Sequence, residues 1–105
     1  MIDVASDRQA SDLVLLDIRN VSLLADYFVI CTAETGRQLR AVVDAVVEDV
    51  ENRGQRPLHV EGSVDSGWVL LDYGGVIVHV FSPAEREYYR LERLWSDATV
   101  VLRMQ

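Results

Sequence analysis

Trp68-Val-Leu-Leu-Asp-Tyr73, Gly74-Gly75 and Val76-Ile-Val-His-Val-Phe81 read as a strand, a two-residue turn and a second strand. Both apolar runs have strand length. Paired glycines permit the positive φ angles of a tight hairpin, so the two strands are expected to be antiparallel. Ser82-Pro83-Ala84-Glu85 follows at once. A serine N-cap, a proline at the first helical position and a glutamate three residues after the serine form a capping box, so a helix is expected there. Tyr88, Leu91 and Trp95 would share one of its faces, and Ser96-Asp97 would end it. This unit carries more aromatic and acidic groups than folding alone requires: from residue 61 to residue 97 there are seven carboxylates against three arginines.

Working outward, Asp26-Tyr-Phe-Val-Ile-Cys-Thr32 is a continuous apolar run, the pattern of a strand covered on both faces in an α/β sheet. Residues 13–18 read as another strand, and Asn20 and Ser22 mark the loop after it. Residues 3–13 read as a short, weakly specified helix. Leu39, Val42, Val43, Val46, Val47 and Val50 recur on one helical face, with Thr35 and Gln38 at capping-box spacing before them and Gly54 as the stop. So many valines are poor helix formers, so tertiary packing must hold this helix. Pro57-Leu-His-Val-Glu61 is a short strand whose proline favours a strand start or a sheet edge. Residues 62–67 form a polar loop and residues 99–102 a final strand. The order α-β-β-α-β-β-β-α-β describes a single α/β domain, a mixed β-sheet flanked by helices.

Composition narrows the function. At 105 residues, half of them hydrophobic, the chain forms one domain with a sizeable core. The single cysteine excludes an internal disulfide and fits a reducing compartment. Met1-Ile2-Asp3 shows neither a basic nor an apolar leader, and no apolar run approaches bilayer length, so a soluble cytoplasmic protein with no membrane partner is expected. A net charge of −7 opposes sequence-independent nucleic-acid binding. All ten basic residues are arginines, and the lack of lysine removes Schiff-base chemistry and any P-loop. An acidic domain of this size is steered toward basic partner surfaces.

Few groups are placed for chemistry. His59 and His79 are the only histidines, and no His or Cys cluster has zinc-ligand spacing, so neither metal nor other cofactor is expected. His79, within a strand, reads as a hydrogen-bonded structural residue, and Cys31 as a small core hydrophobe. Neither a Gly-x-Ser-x-Gly elbow nor a Gly-x-Gly-x-x-Gly fingerprint is present. Asp17, Asp26, Glu61 and Asp72 lie in strands or at their ends. They either converge on a magnesium ion or cap turns, and the lack of an Asp-x-Asp pair favours turn capping. Strand alternation puts Trp68, Leu70 and Asp72 on one face and Val69, Leu71 and Tyr73 on the other. Trp68 is then either core or an interface anchor, and the mixture of apolar and acidic groups on its face suits a basic protein partner.

Taken in order, Asp26-Tyr-Phe-Val-Ile30, Glu61-Gly62, Trp68-Val-Leu-Leu-Asp-Tyr-Gly74, Val78-His-Val-Phe81 and Tyr89-x-Leu-Glu-x-Leu-Trp95 resemble the ribosomal silencing factor family, also called Iojap-like, over about residues 12–95. The resemblance implies a nucleotidyltransferase-like topology and a non-enzymatic role. It implies binding to the large ribosomal subunit, on its inter-subunit face, through the fourteenth large-subunit protein. Small-subunit joining would be blocked sterically and translation repressed under nutrient limitation. It also implies a homodimer when the protein is free. On these expectations Trp68 is the anchor, Glu61 and Asp72 pair with basic residues of the ribosomal protein, and Tyr88, Tyr89 and Glu92 are further contacts. The alternative is a metal-dependent nucleotidyltransferase-like enzyme. Such enzymes use a Gly-Ser turn before a helix and paired aspartates on a neighbouring strand. Here the turn reads Ala33-Glu34-Thr35-Gly36, Glu34 would repel phosphate and the aspartate pair is missing. Within the silencing-factor family this turn usually carries Thr-Gly and then Ser, and Ala33 and Thr35 depart from that.

Overall fold

In a computed structural model that describes residues 1–90 and 97–104, the apolar runs become strands and the capped, periodic segments become helices. The chain runs α1 (Ile2–Asp7), β1 (Ser11–Asp17), β2 (Tyr27–Thr32), α2 (Gly36–Asn52), β3 (His59–Ser63), β4 (Trp68–Asp72), β5 (Val76–Phe81), α3 (Pro83–Tyr89) and β6 (Thr99–Met104). The strands form one sheet in the order β3-β4-β5-β2-β1-β6. β2 and β5 are parallel and all other neighbours antiparallel, so the sheet is mixed as expected. The parallel pair is central, where both faces are covered.

The Gly74-Gly75 hairpin sets the register of β4 on β5: Tyr73 N–H donates to the Val76 carbonyl at 2.9 Å, Asp72 pairs Ile77, Leu70 pairs His79 and Trp68 pairs Phe81. Only Gly74 has positive φ, at 86°. That is the demand of a turn with glycine at its first central position. Gly75 serves differently: its carbonyl accepts the N–H groups of Asp26 (2.8 Å) and Tyr27 (3.0 Å), tying the turn to the start of β2.

Alternation gives the sheet two unlike faces. Leu13, Val29, Cys31, Val69, Leu71, Val78 and Val80 meet Leu39, Val42, Val46 and Val50 of α2 and Ala5 of α1. Packing against this face holds together the valine-rich helix. Val14, Leu16, Phe28, Ile30 and Phe81 form a second core on the opposite face, joined at its margin by Trp68 and Ile77. Arg86 of α3 donates to the Thr32 hydroxyl at 3.0 Å and fastens that short helix over this second face.

Both α2 ends follow the sequence signals. Thr35 Oγ1 accepts the Gln38 N–H at 3.1 Å, and the Gln38 side chain reaches back to the Glu34 N–H, also at 3.1 Å. Thr35, one of the departures from the family's usual turn, is thus the helix cap. At the other end Gly54, at φ 91°, sits in a motif closed by Gln55 N–H to the Val50 carbonyl and Gly54 N–H to the Glu51 carbonyl. Several boundaries depart from expectation: β3 runs His59–Ser63, two residues into the expected loop, and β6 continues to Met104. The first helix stops at Asp7 rather than residue 13, because Gln9 takes a left-handed φ of 65° in the same kind of closure, with Ala10 N–H on the Ala5 carbonyl. β1 therefore starts at Ser11. The last helix leaves its axis at Arg90, at φ 47°. Its expected continuation through Leu91 and Trp95, with the break at Ser96, lies outside the described residues.

Candidate functional site, an aromatic groove on the second face

The margin of the second face carries the residues that folding explains least. β4 alternates half-buried and buried side chains, so Val69 and Leu71 enter the α2 core while Trp68, Leu70 and Asp72 face the other way. Trp68 is seated on two rings: its centroid is 5.1 Å from Phe81, at an interplanar angle of 27°, and 4.5 Å from Tyr89 of α3. Its indole Nε1–H donates to His79 Nδ1 at 3.1 Å. His79 is only 4 % exposed, edge-on to Phe28 at 4.8 Å. Loss of hydration pushes its pKa down to about 4, so the ring is neutral at physiological pH. Trp68 is therefore half-buried, with its N–H edge turned to the buried His79 and the rest of the ring lining a groove.

Trp68, Leu70 and Tyr89 form the apolar part of a groove of about 230 Å³, completed by Glu61, Gly62 and Ser66. The register that pairs Glu61 with Leu70 and Ser63 with Trp68 brings this wall to the floor. Gly62 has φ 81°, and a Cβ there would lie 2.0 Å from the Trp68 carbonyl oxygen. Only glycine allows β3 and β4 to approach so closely. The turn between them is closed by Ser63 and Ser66, whose backbone N–H groups each donate to the other's hydroxyl at 3.1 Å. Gly67, at φ 78°, carries the chain under the start of α3, where its carbonyl accepts the Ser82 N–H at 2.8 Å.

Three of the six expected site residues, Trp68, Glu61 and Tyr89, converge on the groove. Glu61 is exposed, with its carboxylate 2.9 Å from His59 Nε2. Tyr88 is 77 % exposed and lies edge-on to Tyr89 at 4.9 Å, beside the groove rather than in it. Asp72 is at the far end of β4, and its Oδ1 accepts the Gly74 N–H at 2.8 Å. Glu92 lies outside the described residues. Leu70, Gly62 and Ser66 join the site without having been singled out. For Leu70 the signal was present, since it shares Trp68's parity, whereas Ser66 is placed only by the hairpin.

Of the other strand-end carboxylates, Asp17 is paired with Arg19. Asp17 is held below the usual carboxylate range by hydrogen bonds from Arg19, whose Nε is 3.0 Å from Oδ1. Among the described residues no three His, Cys, Asp or Glu side chains gather as a metal site would require. Burial pushes the Cys31 thiol up to about 12 and leaves it unreactive. The groove therefore offers shape, aromatic faces and a carboxylate. No helix among the described residues is long and apolar enough to cross a membrane.

The family model described as "Ribosomal silencing factor during starvation" matches residues 1–105. The chain is 41 % identical to the ribosomal silencing factor RsfS of Bacillus subtilis over 92 residues, which make up 88 % of this chain and 78 % of that protein. It is 37 % identical to RsfS of Halalkalibacterium halodurans over 100 residues, 95 % of this chain and 86 % of that protein. Its fold matches a crystal structure of a Chromobacterium violaceum protein with a TM-score of 0.86 at 33 % identity, covering 90 % of this chain and 79 % of that one.

Proposed function

The chain belongs to the ribosomal silencing factor family, and on that premise we propose that it is a non-enzymatic repressor of translation. It binds the inter-subunit face of the large ribosomal subunit through the fourteenth large-subunit protein and keeps the small subunit from joining. The observation that carries this reading is the groove: an apolar, aromatic floor with an exposed carboxylate on its wall. Tyr and Trp seated on rigid neighbours supply contact area at little entropic cost, and such residues dominate binding energy at interfaces. Glu61 adds a rim charge that selects a basic partner and raises the rate of encounter. Occlusion needs affinity and footprint only. Tyr88, beside the groove, widens the contact, and Asp72 extends the acidic character along β4.

The test is co-sedimentation with purified large subunits followed by a subunit-joining assay, comparing the native chain with Glu61→Arg. The Glu61 side chain is 62 % exposed and its carboxylate pairs with the exposed His59, so the substitution spares the fold. Losing one attraction and gaining a repulsion at a rim should weaken binding about tenfold and release the block to joining. Native protein that fails to sediment with large subunits, or a charge-reversed variant that binds as well as the native chain, would contradict the proposal.

A further inference from the structure

We propose that His79 is a positioning residue for the groove: it accepts the Trp68 indole N–H and so fixes the aromatic floor before any partner arrives. The inference rests on the docking role of the groove for its functional consequence, but the geometry stands independently.

Trp68 begins its strand at the margin of the second core, packed on Phe81 and Tyr89. Ring stacking is broad in angle and leaves an indole free to slide or flip. The indole has one directional group, Nε1–H, and it can only donate. That donor meets Nδ1 of His79 at 3.1 Å. The acceptor is itself immobile. His79 sits at the middle of the central strand β5, paired with Leu70 on one side and Ile30 on the other. Its ring is edge-on to Phe28 at 4.8 Å and stacked over Phe81 at 6.0 Å.

The bond also dictates the tautomer. Because Trp68 only donates, Nδ1 must be bare and the proton must sit on Nε2. Nε2 is buried and, among the described residues, meets no hydrogen-bond partner. An imidazole in such apolar surroundings costs free energy that a leucine or valine would not. Its use is at Nδ1, where it turns an adaptable aromatic contact into a preset one. A floor ordered in advance avoids the ordering cost at binding.

The first measurement uses the unmodified chain. Nitrogen-15 spectra at neutral pH should show a bare Nδ1 and a protonated Nε2 for His79, and a Trp68 Nε1–H that exchanges slowly with solvent. A protonated Nδ1, or a fast-exchanging Nε1–H, overturns the proposal. The second measurement compares His79→Phe, which removes the acceptor, with His79→Gln, which restores one, each in native and Trp68→Phe backgrounds. Affinity for purified large subunits should fall about fivefold in His79→Phe. It should return in His79→Gln, and the His79 effect should vanish once Trp68 has no N–H to donate. An effect of His79→Phe that persists undiminished in the Trp68→Phe background shows a merely structural role and refutes positioning. If the native chain does not bind large subunits, the docking reading fails, while the spectra still decide the His79–Trp68 link.

Discussion

Replacing Gly62 by alanine should strip the wall from the groove while leaving the core folded. Gly62 and Gly54 share a similar positive φ, 81° and 91°, but a Cβ at Gly54 meets nothing within 4 Å while one at Gly62 lies 2.0 Å from the Trp68 carbonyl oxygen. Gly54→Ala therefore reports the conformational penalty alone, about 1–2 kcal/mol for an L-residue in the left-handed region, partly offset by reduced freedom of the unfolded chain. Gly62→Ala adds a collision with backbone that no rotamer relieves. The strands must part, and the pairs Gly62–Val69 and Ser63–Trp68 are the first lost. At about 1 kcal/mol for each backbone hydrogen bond given up, the total reaches roughly 3–4 kcal/mol, which exceeds what an edge strand resists locally.

β3 is exposed along its whole length and, among the described residues, pairs only with β4, so it can detach without opening either core. Local opening of this kind is read by amide exchange. The expected result is loss of protection across β3 and its β4 partners, unchanged protection in β2, β5 and α2, and loss of large-subunit binding because Glu61 has left the groove. Gly54→Ala should keep β3 protected and bind normally. Equal melting temperatures for the two variants, with β3 amides still protected in Gly62→Ala, would refute the idea that close approach at Gly62 holds the wall in place.

Acid should weaken the fold first through His79. Its pKa is about 4 folded against an ordinary value near 6.5, so between those pH values the unfolded chain binds the proton and the folded chain does not. Stability is complete above about pH 6.5 and falls as the pH drops toward 4, by about 3 kcal/mol in all; thermal melts at pH 7.5 and 4.5 measure it, and His79→Gln should flatten the difference. The depressed carboxyls of Asp17, held by Arg19, and Asp49, held chiefly by the N-terminal amine, contribute stability present above their unfolded pKa and lost only as the pH falls further, through their folded values. Cys31, fully buried, should resist a thiol reagent at pH 8 in the native protein and react at the rate of unfolding, and prompt labelling without denaturant would show an opening of the α2 core absent from this structure.

The sequence disclosed those elements whose ends are marked chemically. α2 was legible at both ends because Thr35 caps it and glycine occupies the left-handed position at Gly54. The first helix misled because the same closure is made there by Gln9, a residue whose identity does not announce a stop. Asp12, at φ 46°, then bends the beginning of β1, where the register against β2 shifts. The parity of β4 predicted which side chains leave the core, and the turn-capping reading of Asp72 is met by its bond from the Gly74 N–H. The groove was legible only in part. Glu61 and Trp68 lie on different strands and Tyr89 on a helix, and their convergence depends on the β3–β4 register and on where the Arg86–Thr32 bond sets α3. The Trp68–His79 bond is a diagonal contact between the Trp68–Phe81 and Leu70–His79 pairs, which becomes readable once the hairpin is known to turn on two residues.

The charge of the chain bears on what it can dock against. A ribosomal subunit presents mostly phosphate at its surface, and a domain of net charge −7 without lysine is repelled by it over a Debye length. Close approach is favourable only where a basic protein surface interrupts the nucleic acid. On the proposed function, the acidic wall at Glu61 and the repulsion everywhere else act together. One supplies attraction at the correct patch, and the other discourages binding at the many incorrect ones. The aromatic floor, held on Phe81 and His79, then provides the short-range contact that charge alone does not. Added salt should weaken the first effect and relax the second. Affinity for large subunits should thus depend on salt far less steeply than for a protein that binds RNA through its phosphates, and selectivity for the correct site should decline as salt rises.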